Sequence, residues 1–361
     1  MDKSMQVIAV YLLSHIGLIF FMYPTDIIES LSVGHWCAIL LGFACHVAVI
    51  AIYTKGLSYF KSQSIIDIFA GAGKALAWIL LLPVSLYFLM MLILTVRAYA
   101  EIVTIIFLDS TPLWAVMALF LAVAGLISFM GVEAMFRTGL LAAILFFPLL
   151  LFVLSVSFQN ADWHYLYPIM DKRSASFSFV LERPYLLSFF AFAGGFLFLG
   201  FIPPYVPYKR RAVLWTTPVL LPFFFVSVYV PLLTFGRNTA VQFQFPFIMA
   251  VDTADISWLM FDRVTMFFMI TVICFALLFI SLVMWKTTLM IRRVLPFVRP
   301  DLASLLLAAV VFVICLQIPN WKMVERLFWW NTYLRLYVVA VIPLTTLVLG
   351  IRRRRKGAAG I

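Results

Sequence analysis

Charged and titratable side chains are scarce in this chain, so the few that fall in or beside apolar runs are where chemistry would sit. Arg97 and Glu101 stand at i and i+4, on one face of a long apolar segment. Charges inside a membrane are costly and normally face a cavity or a partner. Two readings fit the pair: a polar cluster at the outer end of a solute pathway, or an ion pair satisfied within its own helix. Asp262 and Arg263 open another apolar segment. The simplest role for Asp262 is to complement the helix dipole there. Glu133 and Arg137, acid before base at i and i+4, flank a short connection and read as structural. His15 lies beside an interruption in the first apolar segment, with His35 and His46 nearby. It reads either as a proton or ligand group or as a satisfied buried imidazole. No His-Glu-x-x-His, no phosphate-binding glycine loop with lysine and no serine nucleophile elbow occurs. The chain is therefore not read as an enzyme, and no metal or cofactor is expected. Cys37, Cys45, Cys274 and Cys315 all lie in apolar segments without ligand spacing and read as packing residues.

The elements that must position these groups are apolar segments, and two of them are interrupted. The first runs from Tyr11 through Ser14, His15 and Gly17 to Phe20, Phe21 and Pro24. The second carries Phe192-Ala193-Gly194-Gly195-Phe196, then Gly200 and Pro203-Pro204. Glycine and proline are unfavourable inside an ordinary helix. In lipid, a broken helix survives only where its freed backbone groups face protein, water or a ligand. Two breaks in corresponding positions of a multi-span chain point to a solute site between inverted repeats. The expected binding residues are Gly17 and Phe20 at the first break and Gly194, Gly195 and Phe198 at the second. Tyr87, Thr95 and Thr271 would form the opposite wall.

Composition fixes the class. The chain has 361 residues, is 65% hydrophobic and 11% charged, and has a mean hydropathy of +1.10. That is too little charge to cover a soluble globule of this length. The apolar runs are continuous and long enough to cross a bilayer as helices, which argues against a transmembrane barrel. Ten spans are expected, at about 5–28, 34–54, 75–107, 112–131, 138–158, 184–206, 213–236, 261–285, 300–318 and 335–351. The third and eighth look longer than a perpendicular crossing needs, and the eighth extends past Lys286 toward Leu295. They are third in their respective halves. The chain thus reads as one membrane domain over 1–361, with five-helix repeats over 5–158 and 184–351 and a basic tail over 352–361. The first apolar run reads as a span and not as a removed signal. Two connections are long, 159–183 and 237–260. The second is too apolar for a free loop and reads as a lid over the outer mouth or as an interfacial segment.

Lysine and arginine set the expected orientation. With both ends cytoplasmic, seventeen basic residues flank the spans inside, including Lys286 and the run Arg352 to Lys356, against eight outside, including Arg335. The net charge of +11 then reflects topology and anionic lipid, not nucleic acid.

Several local patterns agree in order and spacing. Arg97-Ala98-Tyr99-Ala100-Glu101 precedes Thr111-Pro112-Leu113-Trp114. Gly131-Val132-Glu133 follows with Arg137 four residues on, then Leu166-Tyr167-Pro168 and Phe261-Asp262-Arg263. Over about residues 5–350 the chain resembles the spore germination receptor B subunits, the spore permease family of the amino acid–polyamine–organocation transporter superfamily. The resemblance implies a LeuT-like 5+5 inverted repeat with helices 1 and 6 broken. It also implies binding of a small germinant such as an amino acid, a larger A-type membrane subunit and a C-type lipoprotein as partners, and the inner membrane of a spore or a bacterial cell membrane as location. Members often carry a glutamate where Gly194–Gly195 stand here, which makes the expected pocket less polar. The leading expectation is a solute-sensing receptor subunit. The rival is an ion-coupled secondary transporter of amino acids or related solutes, and a third reading is a structural partner with a vestigial pocket.

Overall fold

The computed structural model describes residues 3–108, 110–193, 195–254 and 264–359, and every regular element among them is a helix. The first apolar run forms α1 (Lys3–Ile19) and α2 (Tyr23–Ser30), bent by 54° at the turn between them. Pro24 sits in the first turn of α2, where its missing N–H costs nothing. Gly34, at φ +79°, then lets the chain reverse into α3 (His35–Leu57). A side chain there would also strike Ser174. A short helix, α4 (Ile65–Ala72), is capped by Ser64, whose hydroxyl accepts from the Asp67 N–H. The long α5 (Lys74–Ile106) follows, then α6 (Leu113–Phe129) and α7 (Val132–Val156).

The connection after α7 holds the one-turn helix α8 (Lys172–Ala175), closed by an Asp171–Ser174 capping box. The second interrupted run breaks into α9 (Arg183–Ser188), α10 (Phe190–Ala193) and a 3-10 turn at Leu197–Gly200. The chain continues through α11 (Arg210–Thr216) and α12 (Leu221–Phe235), which act as one apolar span over Arg210–Phe235. The short α13 (Arg237–Ala240) and α14 (Pro246–Asp252) lead to α15 (Val264–Val294), α16 (Pro300–Leu316) and α17 (Trp321–Ala359).

Among the described residues six helices or helix runs are long and apolar enough to cross a membrane, and the bent α1–α2 pair meets the same test as one unit. The other three of the ten expected segments hold the shorter apolar helices α6 and α16 and the interrupted α9–α10 run. Exposed side chains confirm what surrounds the bundle. Ile79, Leu82 and Leu86 on α5, and Leu141, Ile144 and Leu145 on α7, recur at helical spacing and are 49–67% exposed. Such stripes are untenable in water and natural against lipid.

The helix ends define two faces. Lys3 pairs with Glu133 at 3.3 Å, Arg353 donates to Gln63 at 2.7 Å, and Arg293 lies 3.9 Å from Asp67. These ends, with the start of α1 and the end of α17, form the terminal face. Segments 159–182 and 236–254 lie at the opposite, far face. There α14 folds back over the bundle, with Phe247 on Phe20 at 4.6 Å and Phe245 on Trp321 at 5.2 Å. Thr25 on α2 donates to the Gln244 carbonyl at 3.1 Å. The apolar connection is therefore a packed cover and not a free loop.

Three sequence expectations need correction. The last helix begins at Trp321, well before 335, and runs on through the basic tail to Ala359. Lys286 and Arg335, read from sequence as cations flanking spans, are both fully buried within α15 and α17. Dropping both from the charge count leaves its bias unchanged in sign.

Candidate functional site

The two interruptions meet side by side in the middle of the bundle. At the first, α1 crosses α15 closely at Gly17, where a Cβ would lie 3.2 Å from the Phe275 carbonyl carbon and 3.3 Å from the Ala276 nitrogen. The bend that follows takes Gly17's carbonyl out of a continuous helix. The Tyr99 hydroxyl of α5 donates to it. At the second, the Tyr53 hydroxyl donates to the Leu197 carbonyl at 3.2 Å and the Tyr208 hydroxyl to Leu199 at 3.0 Å. Arg335 donates from Nη1 to the Leu187 carbonyl at 2.8 Å, with Leu186 at 3.4 Å. Broken helices thus persist here because tyrosine hydroxyls and one guanidinium collect their freed carbonyls.

Gly195 lies flat against the His15 imidazole. A Cβ there would overlap the ring, 2.6 Å from Nδ1 and 2.7 Å from Nε2. His15 Nδ1 is 2.7 Å from the Tyr11 carbonyl. A carbonyl only accepts, so the proton sits on Nδ1. The Phe192 backbone also lies beside the imidazole, and among the described residues Nε2 makes no hydrogen bond of good geometry. Beside it runs a directed chain. Thr217 donates to the Val213 carbonyl at 2.9 Å, so its oxygen accepts from the Tyr11 hydroxyl at 3.0 Å. Tyr11 in turn accepts from His46 Nε2 at 3.1 Å. The chain ties α1, α3 and the α11–α12 span together in the buried interior.

Of the expected binding residues, Gly17, Phe20, Gly195 and Phe198 are all buried, and Gly195 meets the first interruption through His15. Gly194 lies outside the described residues. Phe20 packs against Phe223, Phe247 and Phe268, and Phe198 against Phe136. Aromatic rings fill the space between the breaks. On the opposite wall, the Thr95 and Thr271 hydroxyls return to their own helices, at the Met91 and Phe267 carbonyls. The Tyr87 hydroxyl is buried and unpartnered.

The expected ion pairs behave differently from one another. Arg97 binds Glu101 directly, is 2% exposed, and reaches the Ile318 carbonyl after α16 at 3.5 Å. Glu133 takes Arg137 at 3.6 Å and Lys3 at 3.3 Å on the exposed terminal face, a structural arrangement. Asp262 and Arg263 lie outside the described residues. Sequence reasoning passed over Asp26, Asn331 and Arg335 as site residues. Their only signal was a polar type within or next to an apolar run.

Cavities open toward both faces. One of about 550 Å³ at the far face is bordered by His35, Trp36, Tyr167, Tyr229 and Arg237. One of about 260 Å³ at the terminal face is bordered by Thr54, Lys61, Pro203, Tyr208 and Arg210. Among the described residues no group of three or more His, Cys, Asp or Glu side chains is placed to hold a metal.

A family model described as spore germination protein matches residues 3–321. The chain belongs to that family. No curated protein sequence matches the chain. Among solved structures, the crystal structure of MhsT in complex with L-phenylalanine is similar, with a TM-score of 0.61. Identity is 12%, over 95% of this chain and 98% of that one. A mutant of the manganese transporter of Eremococcus coleocola is also similar, with a TM-score of 0.63 at 12% identity, over 94% of this chain and 78% of that one. At such identities the likeness establishes the fold alone. It is the LeuT-type transporter fold that the family resemblance implies.

Proposed function

We propose that this spore germination protein is the solute-binding membrane subunit of a nutrient germinant receptor. In this reading the chain crosses the membrane ten times, with repeats over 5–158 and 184–351 and both termini cytoplasmic, in the inner membrane of a spore or in a bacterial cell membrane. The observation that carries this reading is the meeting of the two interrupted helices at Gly17, His15 and Gly195, sealed by aromatic rings between a cavity at each face. That is the arrangement of a bundle closed around its centre. A small solute such as an amino acid binds near the breaks, between Gly17, Phe20, Gly194, Gly195 and Phe198 and the wall of Tyr87, Thr95 and Thr271. Binding shifts a two-state equilibrium of the bundle, and an A-type membrane subunit and a C-type lipoprotein read the shift.

The rival reading, an ion-coupled transporter, draws support from the cavities at both faces and from the transporter fold. Solute flux through the purified chain in proteoliposomes, under an imposed proton or sodium gradient, separates them. The receptor reading expects ligand binding without concentrative uptake. Gradient-driven accumulation by the chain alone would make it a transporter. The proposed site is tested by Gly195→Trp, which drives a ring into His15. The variant should insert in the membrane and lose its ligand response, and an ordinary response would remove the site from consideration.

A further inference from the structure

Two polar side chains one turn apart on α17, Asn331 and Arg335, are completely buried. Arg335 spends only one corner of its guanidinium on the Leu187 and Leu186 carbonyls, both through Nη1. Phe190 lies against it, with its ring centroid 5.3 Å from Cζ. The group's position is therefore set by partners that leave its other edge untouched. Among the described residues Nε and Nη2 meet no acceptor. Those two nitrogens carry the parallel N–H bonds that match the two oxygens of a carboxylate. Both amide atoms of Asn331 and the hydroxyl of Tyr87 are also buried without partners. Unpartnered buried polar groups are rare in folded proteins, and several in one neighbourhood ask for a reason. Tyr87 on α5 and Asp26 on α2 lie within electrostatic reach of Arg335. Asp26 is 4% exposed.

We infer that Arg335 receives the carboxylate of a small zwitterionic solute on its free Nε–Nη2 edge, with Asn331 and Tyr87 completing the polar shell. The inference rests on the solute-binding reading above and adds to it a side chain that recognises charge. The backbone carbonyls freed at the breaks are largely taken already, by tyrosine hydroxyls and by Arg335. Asp26 is the acid that favours a solute carrying an ammonium group as well. Because Nη1 also holds the end of α9, a carboxylate on the other edge of the same guanidinium couples the solute directly to the second interrupted helix.

The test uses the full chain in lipid nanodiscs and follows binding by ligand-induced thermal shift and by titration. The probes are a mixture of the twenty standard L-amino acids and a mixture of their carboxamides, which keep the ammonium and lose the carboxylate. Amino acids should bind at least tenfold more tightly than the amides. Arg335→Lys keeps a cation and loses the fork, and should weaken binding at least tenfold. Asn331→Ala leaves the bond to Leu187 intact, so the unliganded protein should stay folded while affinity falls several-fold. Equal affinity for acids and amides, or wild-type affinity in both variants, would overturn the site and leave Arg335 as a helix cap. Should Arg335→Lys fail to fold, Asn331→Ala and the acid–amide ratio still decide. A wild-type chain that ignores amino acids yet binds a neutral sugar or nucleoside overturns this inference and keeps the solute-binding subunit. A chain that binds none of these probes overturns both.

Discussion

Among the described residues two cations, Arg335 and Lys286, are wholly excluded from solvent, and they are held differently. Arg335 on α17 donates to two carbonyls at the end of α9, lies beside Phe190 and has Asp26 within electrostatic reach. Lys286 on α15 has no hydrogen-bond partner, and its ammonium lies 4.3 Å from the centre of the Phe88 ring. Both are entirely excluded from solvent. A guanidinium cannot shed its charge, so it must be placed where the fold supplies acceptors. The end of a broken helix is such a place, because its last carbonyls have no helical partner. A lysine can lose its proton and so tolerates a site that offers only a ring face. Burial alone therefore says little about what a charged residue contributes. What matters is which unsatisfied groups would remain if it were removed.

The sharpest way to break this comparison is Arg335→Leu. It strips the Leu186 and Leu187 carbonyls of their charged side-chain donor and removes a cation within electrostatic reach of buried Asp26. Losing a buried hydrogen bond to a charged group should cost about 3 kcal/mol. Thermal unfolding of the detergent-solubilised chain should show the largest loss of any single change discussed here. A wild-type midpoint would mean that the end of α9 is held by something else. Tyr99→Phe is the neutral counterpart. The ring stays stacked on Phe21 at 4.8 Å, and only the hydroxyl that serves the Gly17 carbonyl is lost. Leaving that carbonyl buried and unpaired should cost about 1–3 kcal/mol. If the two variants were equally unstable, the charge on Arg335 would contribute nothing beyond its hydrogen bond.

These roles explain why the sequence announced some features and hid others. Lipid demands continuous apolar runs, so the long helices stood out from hydropathy, with α5 ending within a residue or so of the expected bounds. Glycine and proline marked both interruptions, since nothing else lets a helix break there. The apolar 237–260 connection announced its packing against the bundle through Phe245 and Phe247. The start of α17 was hidden because Trp321 to Leu334 mixes Lys322, Glu325, Arg326 and Asn331 with apolar residues, which reads as a loop unless its buried face is known. Arg335 and Lys286 were counted as flanking charges for the same reason: a sequence shows the charge but not which side of the helix carries it. The tyrosine caps were equally illegible. Fourteen tyrosines are present, and only tertiary packing selects Tyr53, Tyr99 and Tyr208 as the ones that meet freed carbonyls.

Lys286→Met sharpens the comparison from the other side and should carry the opposite sign. Methionine has similar length, keeps contact with the Phe88 ring through its thioether, and leaves no carbonyl or carboxylate orphaned. Replacing a buried charged group by an apolar one of like volume is often neutral or stabilising. The expected change is a rise of about 1 kcal/mol or none, smaller than either loss above. The measurement is the same unfolding midpoint, taken beside Arg335→Leu under identical conditions. A loss as large as that of Arg335→Leu would show that Lys286 holds an acceptor when the bundle is in its membrane, and the distinction between the two cations would fall. A gain in midpoint together with an unchanged ligand response would instead leave Arg335 as the one of the two whose charge the protein uses.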